Sequence, residues 1–275
     1  YLNKILPSFR SLLIVQTILL CVAYYCLFKW YIPAKWAWLG FLLLFLNGPL
    51  TVFFMLSGIR NGIAISILIL STKFIHKRKI IPFAILIFVA YWFHNSVVLY
   101  APIVYFVANW KPITKRSIFI WLSVMVFFAI ASSTIILDYV NVFVVNYFER
   151  YTTYLELAKE QEKGAGLLAS VFSLVASLLL FLNVKDKRMT AKMNMIVKLT
   201  LLFFLSFLLG PLNLRMSQYF ASFLVVSSVI VVSLCSNKYL KYGYVSAIFV
   251  FLIYSLIIWF ENPYFAYDTY KSVLF

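Results

Sequence analysis

Acidic residues are scarce in this 275-residue chain, which has 8 Asp and Glu against 24 Lys and Arg. Charged residues of both signs make up 12% of the sequence, whereas a soluble domain has about 25% charged residues. Apolar and aromatic residues make up 64%. This composition excludes a water-soluble protein and predicts an integral protein of the lipid bilayer.

Residues that bind metals and nucleotides are also few. The three cysteines, Cys21, Cys26 and Cys235, lack metal-ligand spacing, so we expect them to pack in the protein interior. No cluster of His, Asp and Glu has ligand spacing, and no Gly-rich loop of the nucleotide-binding type is present. The sequence therefore predicts neither a metal nor a soluble cofactor.

Apolar runs bounded by charges or turn residues fill most of the chain. They predict an all-α, polytopic bundle with about ten membrane segments, several of which reach the roughly 20 residues that span a bilayer. The predicted segments are Ser11–Phe28, Trp36–Leu56, Asn61–Phe74, Ile80–Phe93, Asn95–Ala108, Ser117–Leu137, Ala165–Leu182, Ile196–Leu209, Ser217–Cys235 and Tyr244–Phe260. We expect one membrane domain over residues 1–275 with an outer loop at 138–164. The start at Tyr1 rather than Met predicts a missing N-terminal portion.

The basic residues predict the orientation of the bundle. Their net charge of +16 comes in clusters between apolar runs rather than along one polar face, so we expect no nucleic-acid partner. Placing the five clusters on one side gives that side 16 of the 24 basic residues, and leaves seven of the eight acidic residues on the other. The first side is predicted to be cytoplasmic by the positive-inside rule. The clusters are Lys29–Lys35, Lys73–Lys79, Lys111–Arg116, Lys185–Lys198 and Lys238–Lys241.

Arg60 is the first candidate for anion binding on the outer side. It lies in a polar turn from Ser57 to Gly62, before an apolar run, so it is expected at the N-terminus of a helix. The helix dipole and free backbone N–H groups there favour anions, and an arginine fork suits a phosphate or pyrophosphate. Asn61 is its polar neighbour. The alternative is an arginine that reaches the lipid headgroups.

Arg215 follows a second outer turn, and Tyr219 is four residues later on the same helical face. Arg60 and Arg215 thus have equivalent positions in two predicted helices, and both are candidates to hold one anionic group. A contact with lipid headgroups is again the alternative.

His94 lies in the tetrapeptide Phe93-His94-Asn95-Ser96, at the predicted break between two short helices. An ionisable group in a membrane segment is a functional-site hypothesis, and histidine moves protons near neutral pH. The alternative is a structural histidine that closes the turn.

Glu149, Arg150 and Tyr151 end the aromatic part of the outer loop. Glu149 is a second candidate base and Arg150 a third anion ligand. An adjacent Glu-Arg pair at a surface is more often simply solvated, and this alternative stays open.

Three stretches carry a resemblance to a known family. Ser57-Gly-Ile-Arg-Asn-Gly-Ile-Ala-Ile-Ser66, the basic loop Lys73–Lys79 and Tyr91-Trp-Phe-His-Asn-Ser96 resemble the EpsG-like, or Wzy-type, bacterial polysaccharide polymerases. The match is good over Leu50–Val107 and weak elsewhere. Asn61 stands where the family usually has Gln, and Val97 where a small residue often follows the Ser.

The resemblance implies a membrane glycosyltransferase, with a fold of the membrane-embedded glycosyltransferase type. It implies a lipid-linked oligosaccharide repeat unit on polyprenyl pyrophosphate as substrate, transferred to an acceptor sugar hydroxyl at the outer face of the bacterial inner membrane. Arg60, Arg215 and Arg150 would bind the pyrophosphate, with Asn61, Tyr151 and Tyr219 beside them. His94, or as second choice Glu149, would be the base that takes the proton of the acceptor hydroxyl or the group that positions it. A chain-length regulator or export proteins are the protein partners to expect.

Two other functions fit part of the pattern. A flippase or exporter of the same lipid-linked sugar would also need basic and aromatic residues, but along a path through the bilayer. A membrane acyltransferase also uses a membrane histidine, but its acyl donor usually arrives from the cytoplasm, opposite the predicted side of His94.

Overall fold

The computed structural model describes residues 9–46, 59–111, 190–208, 213–235 and 237–261, with seven further residues between 114 and 127. All regular secondary structure in these ranges is helical, which confirms the all-α prediction for them. The helices are α1 (Phe9–Tyr31), a 3-10 turn (Ala34–Trp36), α2 (Ala37–Leu46), α3 (Ile59–His76), α4 (Ile80–Tyr91), α5 (Val97–Asn109), α6 (Ala191–Leu208), α7 (Asn213–Leu234) and α8 (Lys238–Glu261). The predicted segment Ala165–Leu182 and the outer loop lie outside the described residues.

Two compact units divide the chain. The first comprises Tyr1–Asn109 with Val232–Phe275, and the second Trp110–Val231. Within the first unit α3 is the central helix, because it packs against α1, α4 and α5. All its residues from Asn61 to Ile69 are buried. A helix that is apolar on every side is stable only when neighbours surround it.

The polar residues inside α3 are accommodated by their own helix. The Ser66 hydroxyl donates to the Gly62 carbonyl (2.7 Å), and the Ser71 hydroxyl donates to the Leu68 carbonyl (2.6 Å). These bonds satisfy the hydroxyl hydrogens without a partner from another helix. A sequence of mixed polarity can therefore occupy the centre of the unit.

α1 buries a single stripe against its neighbours. Gln16, Leu20, Ala23, Tyr24, Leu27, Phe28 and Tyr31 form this stripe, at the spacing of three and four that one helical face requires. The opposite face is apolar as well, since Ile14, Ile18 and Tyr25 are all more than half exposed. Apolar residues on an exposed helix face indicate contact with lipid or with another protein.

Close contacts fix which helix ends lie together. The Tyr31 hydroxyl lies 3.5 Å from the Thr72 hydroxyl, and the Lys73 ammonium lies 5.7 Å from the ring centroid of Trp30. The C-terminal ends of α1 and α3 therefore adjoin, and the two helices run in the same direction. α4 returns alongside α3 after the short turn Lys77–Lys79, so this pair is antiparallel.

α2 and α8 pack on each other in the first unit. The Lys241 ammonium lies 5.3 Å from the ring centroid of Trp36, which brings the start of α8 to the start of α2. Gly40 permits the close approach of α2 to α1. A Cβ at this position would lie 3.2 Å from Ile32 Cδ1 and 3.3 Å from Phe28 Cε2.

In the second unit α6 and α7 are linked through Thr200. Its hydroxyl donates to the Ile196 carbonyl of the same helix (2.9 Å) and lies 3.3 Å from the Phe223 carbonyl of α7. Lys198 is buried in α6, and its ammonium donates to the Trp110 carbonyl (2.9 Å). Burial of a lysine requires such a partner, because an ammonium without hydrogen bonds is costly outside water.

Within the part of the chain that the structure describes, one helix is long and apolar enough to cross a membrane, over Arg10–Tyr31. Shorter apolar helices cover Ala34–Leu46, Ile80–Tyr91, Val97–Asn109 and Tyr219–Leu234. The count of about ten membrane segments, the membrane glycosyltransferase fold and the single membrane domain stay predictions.

Several helices begin earlier than the apolar runs suggest. α6 begins at Ala191 instead of Ile196, and α8 at Lys238 instead of Tyr244. The cause is capping: the Thr190 hydroxyl accepts from the Met193 N–H (3.3 Å), and Asn237 Oδ1 accepts from the Tyr239 N–H (3.0 Å). A side-chain cap determines where a helix starts, regardless of where the apolar residues begin.

Candidate functional site

The N-terminus of α3 carries the first two candidate residues. Arg60 and Asn61 are the second and third residues of this helix, so the predicted place of Arg60 at a helix start agrees with the structure. The Arg60 side chain is exposed and Asn61 is buried. Backbone N–H groups of a first helical turn lack partners within the helix. An exposed guanidinium beside them is arranged for an anion.

His94 lies in the connection between α4 and α5, as the polar tetrapeptide predicts. Its backbone N–H donates to the Ala90 carbonyl (3.0 Å), and its carbonyl accepts from the Val97 N–H (3.2 Å), so both sides of the turn are fixed. The ring Nδ1 lies 3.3 Å from the Ser96 hydroxyl. The imidazole is partly exposed. A rigid backbone with an accessible ring suits a proton acceptor.

The helix lengths place Arg60 and His94 at the same end of the first unit. α3 has 18 residues and the antiparallel α4 has 12. At about 1.5 Å per residue, α4 ends roughly 9 Å short of the start of α3. The connection 92–96 continues from there in the same direction. The structure thus brings the two candidates to one end of the unit.

Gln16 is a polar residue at this end that the sequence patterns did not single out. It is fully buried in α1, within the stripe that packs against the neighbouring helices. The contact of Tyr31 with Thr72 aligns α1 and α3, and this alignment puts Gln16 about one turn beyond Asn61. The available signal was a lone amide inside a long apolar run, since polar groups in such runs are costly and often functional.

The other candidates are not brought together with these by the described geometry. α7 begins at Asn213, so Arg215 lies in its first turn, and Tyr219 is buried one turn later in the second unit. Glu149, Arg150 and Tyr151 lie outside the described residues. Their roles stay predictions, as does a shared site for all three arginines.

Arg60 and His94 provide complementary chemistry at one end of a unit. A guanidinium stabilises negative charge that develops on a phosphate oxygen, and an imidazole removes a proton from a hydroxyl. In the described ranges no group of three or more His, Cys, Asp and Glu residues could hold a metal ion.

Comparison with known proteins identifies the family. Neither the curated proteins nor the solved structures gave a match to this chain. The family model described as the EpsG family matches residues 1–272, which is nearly the whole chain. This extent also covers the regions where the sequence motifs alone gave only a weak likeness. The chain belongs to the EpsG family.

Proposed function

We propose that this protein polymerises lipid-linked oligosaccharide repeat units at the outer face of the bacterial inner membrane. Membership in the EpsG family indicates a membrane protein of polysaccharide biosynthesis. The observation that carries the more specific proposal is the position of Arg60 and His94 at the same end of the first unit. One residue is suited to a pyrophosphate, and the other to an acceptor hydroxyl.

The transfer makes one bond and breaks one. The oxygen of an acceptor sugar hydroxyl attacks the anomeric carbon of the donor glycan, and the bond from that carbon to the pyrophosphate oxygen breaks. The bond electrons leave with polyprenyl pyrophosphate. Arg60 stabilises the negative charge on this leaving group, beside the first-turn N–H groups of α3. Arg215 and Arg150 are further ligands in the proposal.

His94 takes the proton from the acceptor hydroxyl. The 3.3 Å contact with Ser96 bears on this role, because a neutral imidazole has one donor and one acceptor nitrogen. When Nδ1–H donates to the Ser96 hydroxyl, Nε2 is the unprotonated nitrogen of the neutral ring, which is the tautomer that a base at Nε2 needs. Ser96 is therefore a positioning residue for this tautomer. Glu149 is the second candidate for the base.

The test is polymerisation by purified protein in liposomes supplied with one lipid-linked repeat unit. Wild-type protein should form a ladder of longer glycans and release polyprenyl pyrophosphate. Arg60→Ala should lower the rate by roughly 10²–10³-fold, as loss of one stabilising group does. His94→Ala should lower the rate by roughly 10²–10⁴-fold, the range for a general base. Lys111→Ala is the control, since this exposed lysine belongs to the basic cluster Lys111–Arg116, which the charge count assigns to the cytoplasmic side.

The variants must elute and melt as the wild type does, so that a lost ladder reports chemistry. Folded Arg60→Ala and His94→Ala proteins that polymerise at the wild-type rate would contradict the site assignment. Translocation of the lipid-linked unit across the liposome without ladder formation would instead support the flippase.

A further inference from the structure

The end of the first unit opposite Arg60 and His94 carries a concentration of positive charge. Eight basic residues lie at this end. Seven of their side chains are exposed, and the eighth, that of Lys241, is partly exposed. The one acidic residue among the described ones is Glu261, the last residue of α8. Because this helix has 24 residues, Glu261 lies about 36 Å from the start of the helix at Lys238. We name this surface the basic face and define it by Lys29, Lys35, Lys73, Lys77, Arg78, Lys79, Lys238 and Lys241.

Contacts between elements hold these cations together. Lys73 lies over Trp30 at the end of α1, and Lys241 lies over Trp36 in the 3-10 turn just before α2. The positions of the other cations follow from the chain, because the turn Lys77–Lys79 continues α3 and Lys238 opens α8. Eight like charges at one end repel one another, and this repulsion is relieved only by bound anions or salt.

Arg78 has a backbone conformation that an arginine rarely adopts. Its φ is 52°, in the left-handed region where glycine is usual. The Arg78 N–H donates to the Ile75 carbonyl (2.9 Å) and the Lys79 N–H to the Phe74 carbonyl (2.9 Å), the pattern of a Schellman motif closing α3. Glycine would close this helix without strain, yet the chain has arginine there.

One lysine of the basic face also opposes a helix dipole. It is Lys238, the first residue of α8. Lys79 precedes α4 but also follows the C-terminus of α3, where a cation is favourable. The N-terminus of a helix carries partial positive charge, so a cation there is unfavourable in the free protein. Residues that break local rules are expected where a binding partner compensates.

Aromatic side chains identify the kind of partner. Lys29 lies over Tyr25, Lys238 lies over Tyr239, and the rings of Trp36 and Trp38 stack at 6.4 Å. Tyrosine and tryptophan beside lysine are typical of the membrane interface. The basic face also terminates α1, the helix apolar enough to cross a bilayer. The cations therefore lie at the depth of lipid headgroups, where a soluble acidic protein or a nucleic acid would have less access.

We infer that the basic face binds the headgroups of anionic phospholipids, such as phosphatidylglycerol. The phosphates lie among the cations while the acyl chains extend along the exposed apolar side of α1. This surface is at the opposite end of the unit from Arg60 and His94, so the inference does not depend on the proposed polymerase activity.

The test uses the full chain, purified in an uncharged detergent and titrated with phosphatidylglycerol or with phosphatidylcholine. The measurement is the apparent melting temperature, which rises when a ligand binds the folded state. Phosphatidylglycerol should raise it and phosphatidylcholine should not. The triple variant Lys73→Gln, Arg78→Gln, Lys241→Gln should need roughly a hundredfold more phosphatidylglycerol to reach the same rise in melting temperature. The reason is that each basic residue raises the affinity for an anionic surface about fivefold. The variant Lys73→Arg, Arg78→Lys, Lys241→Arg keeps the charges and should respond as wild type.

Arg78→Gly separates the binding role from a structural one. Glycine relieves the left-handed strain, so this variant should melt higher than wild type in phosphatidylcholine. It also removes one cation, so its affinity for phosphatidylglycerol should fall about fivefold. Arg10→Gln, a substitution of an exposed cation at the other end of α1, should leave the lipid response unchanged.

Four outcomes would overturn the inference. The first is an equal rise in melting temperature with both lipids, and the second is an unchanged response to phosphatidylglycerol in the glutamine triple variant. The third is a rise in melting temperature with inorganic phosphate alone that equals the rise with phosphatidylglycerol. The fourth is a rise with polyglutamate but not with phosphatidylglycerol. The third would indicate a free-phosphate site, and the fourth an acidic polypeptide.

Discussion

The pair His94 and Ser96 illustrates how a residue acquires a role from its neighbours. Histidine alone indicated proton transfer, with a structural function as the alternative. The structure adds that Nδ1 lies 3.3 Å from the Ser96 hydroxyl and that the imidazole is partly exposed. A hydrogen bond at one nitrogen determines which nitrogen can act as a base, so Ser96 becomes part of the proposed site.

Substitution of Ser96 tests this coupling. Ser96→Ala should lower the polymerisation rate about 2- to 10-fold with little change in KM, because one neutral hydrogen bond that orients the ring is lost. Ser96→Thr keeps the hydroxyl and should restore most of the rate. The measurement is kcat and KM for both variants in the liposome assay. A loss in Ser96→Thr as large as in Ser96→Ala would exclude hydrogen bonding as the cause.

The sequence was sufficient for some residues and not for others. Arg60 was placed at a helix start because glycines and polar residues around it end one apolar run before the next begins. Gln16 was not selected, because a single amide in an apolar run gives no information about which helix face is buried. Its burial depends on the packing of α1, and that is a tertiary property.

At the scale of helices, the sequence predicted the existence of elements better than their ends. The break between α4 and α5 falls at the predicted tetrapeptide. The start of α8 was misplaced by six residues, because the basic cluster Lys238–Lys241 was predicted to lie in the connection before the apolar segment Tyr244–Phe260. The Asn237 cap starts the helix among these charges, since its side chain accepts from the Tyr239 and Leu240 N–H groups.

Two helical glycines should respond in opposite directions to a larger side chain. A Cβ added at Gly243 in α8 would have no atom within 4 Å, so Gly243→Ala should raise the free energy of unfolding by roughly 0.5–1 kcal/mol. Gly40→Leu should lower it by about 1–3 kcal/mol, because Phe28 and Ile32 are buried against this position. Equilibrium unfolding in mixed micelles measures both.

The prediction for Gly40→Leu has a direct control. Gly40→Ala places only a methyl group against the two side chains and should fall between wild type and Gly40→Leu. If Gly40→Leu unfolds at the same denaturant concentration as wild type, α2 and α1 do not approach closely at this point.

At the scale of the whole molecule, cysteine labelling tests the orientation. In a background with Cys21, Cys26 and Cys235 replaced by alanine, Asn95→Cys should react with a membrane-impermeant maleimide in intact cells. Lys77→Cys and Lys238→Cys should react only after permeabilisation, because they belong to the basic face and the positive-inside rule places it in the cytoplasm. All three positions are exposed.

The result also tests whether the end of α3 and the start of α8 share one face. Lys77→Cys and Lys238→Cys should behave alike, since the contacts of the nearby Lys73 and Lys241 with Trp30 and Trp36 assign both ends to the basic face. Labelling of one in intact cells and of the other only after permeabilisation would contradict that arrangement.

By itself the sequence determined the helical class, the positions of most apolar segments and the side of the bundle on which Arg60 and His94 were expected. It could do so because composition and the length of apolar runs are properties of single segments, and the charge count needs only the order of those segments along the chain. Only the tertiary structure decided that α3 is the central helix, that the face of α1 with Gln16 is buried, and that basic residues from several elements share one face. These depend on which helices pack together, and helices that are apolar on all sides do not specify their neighbours.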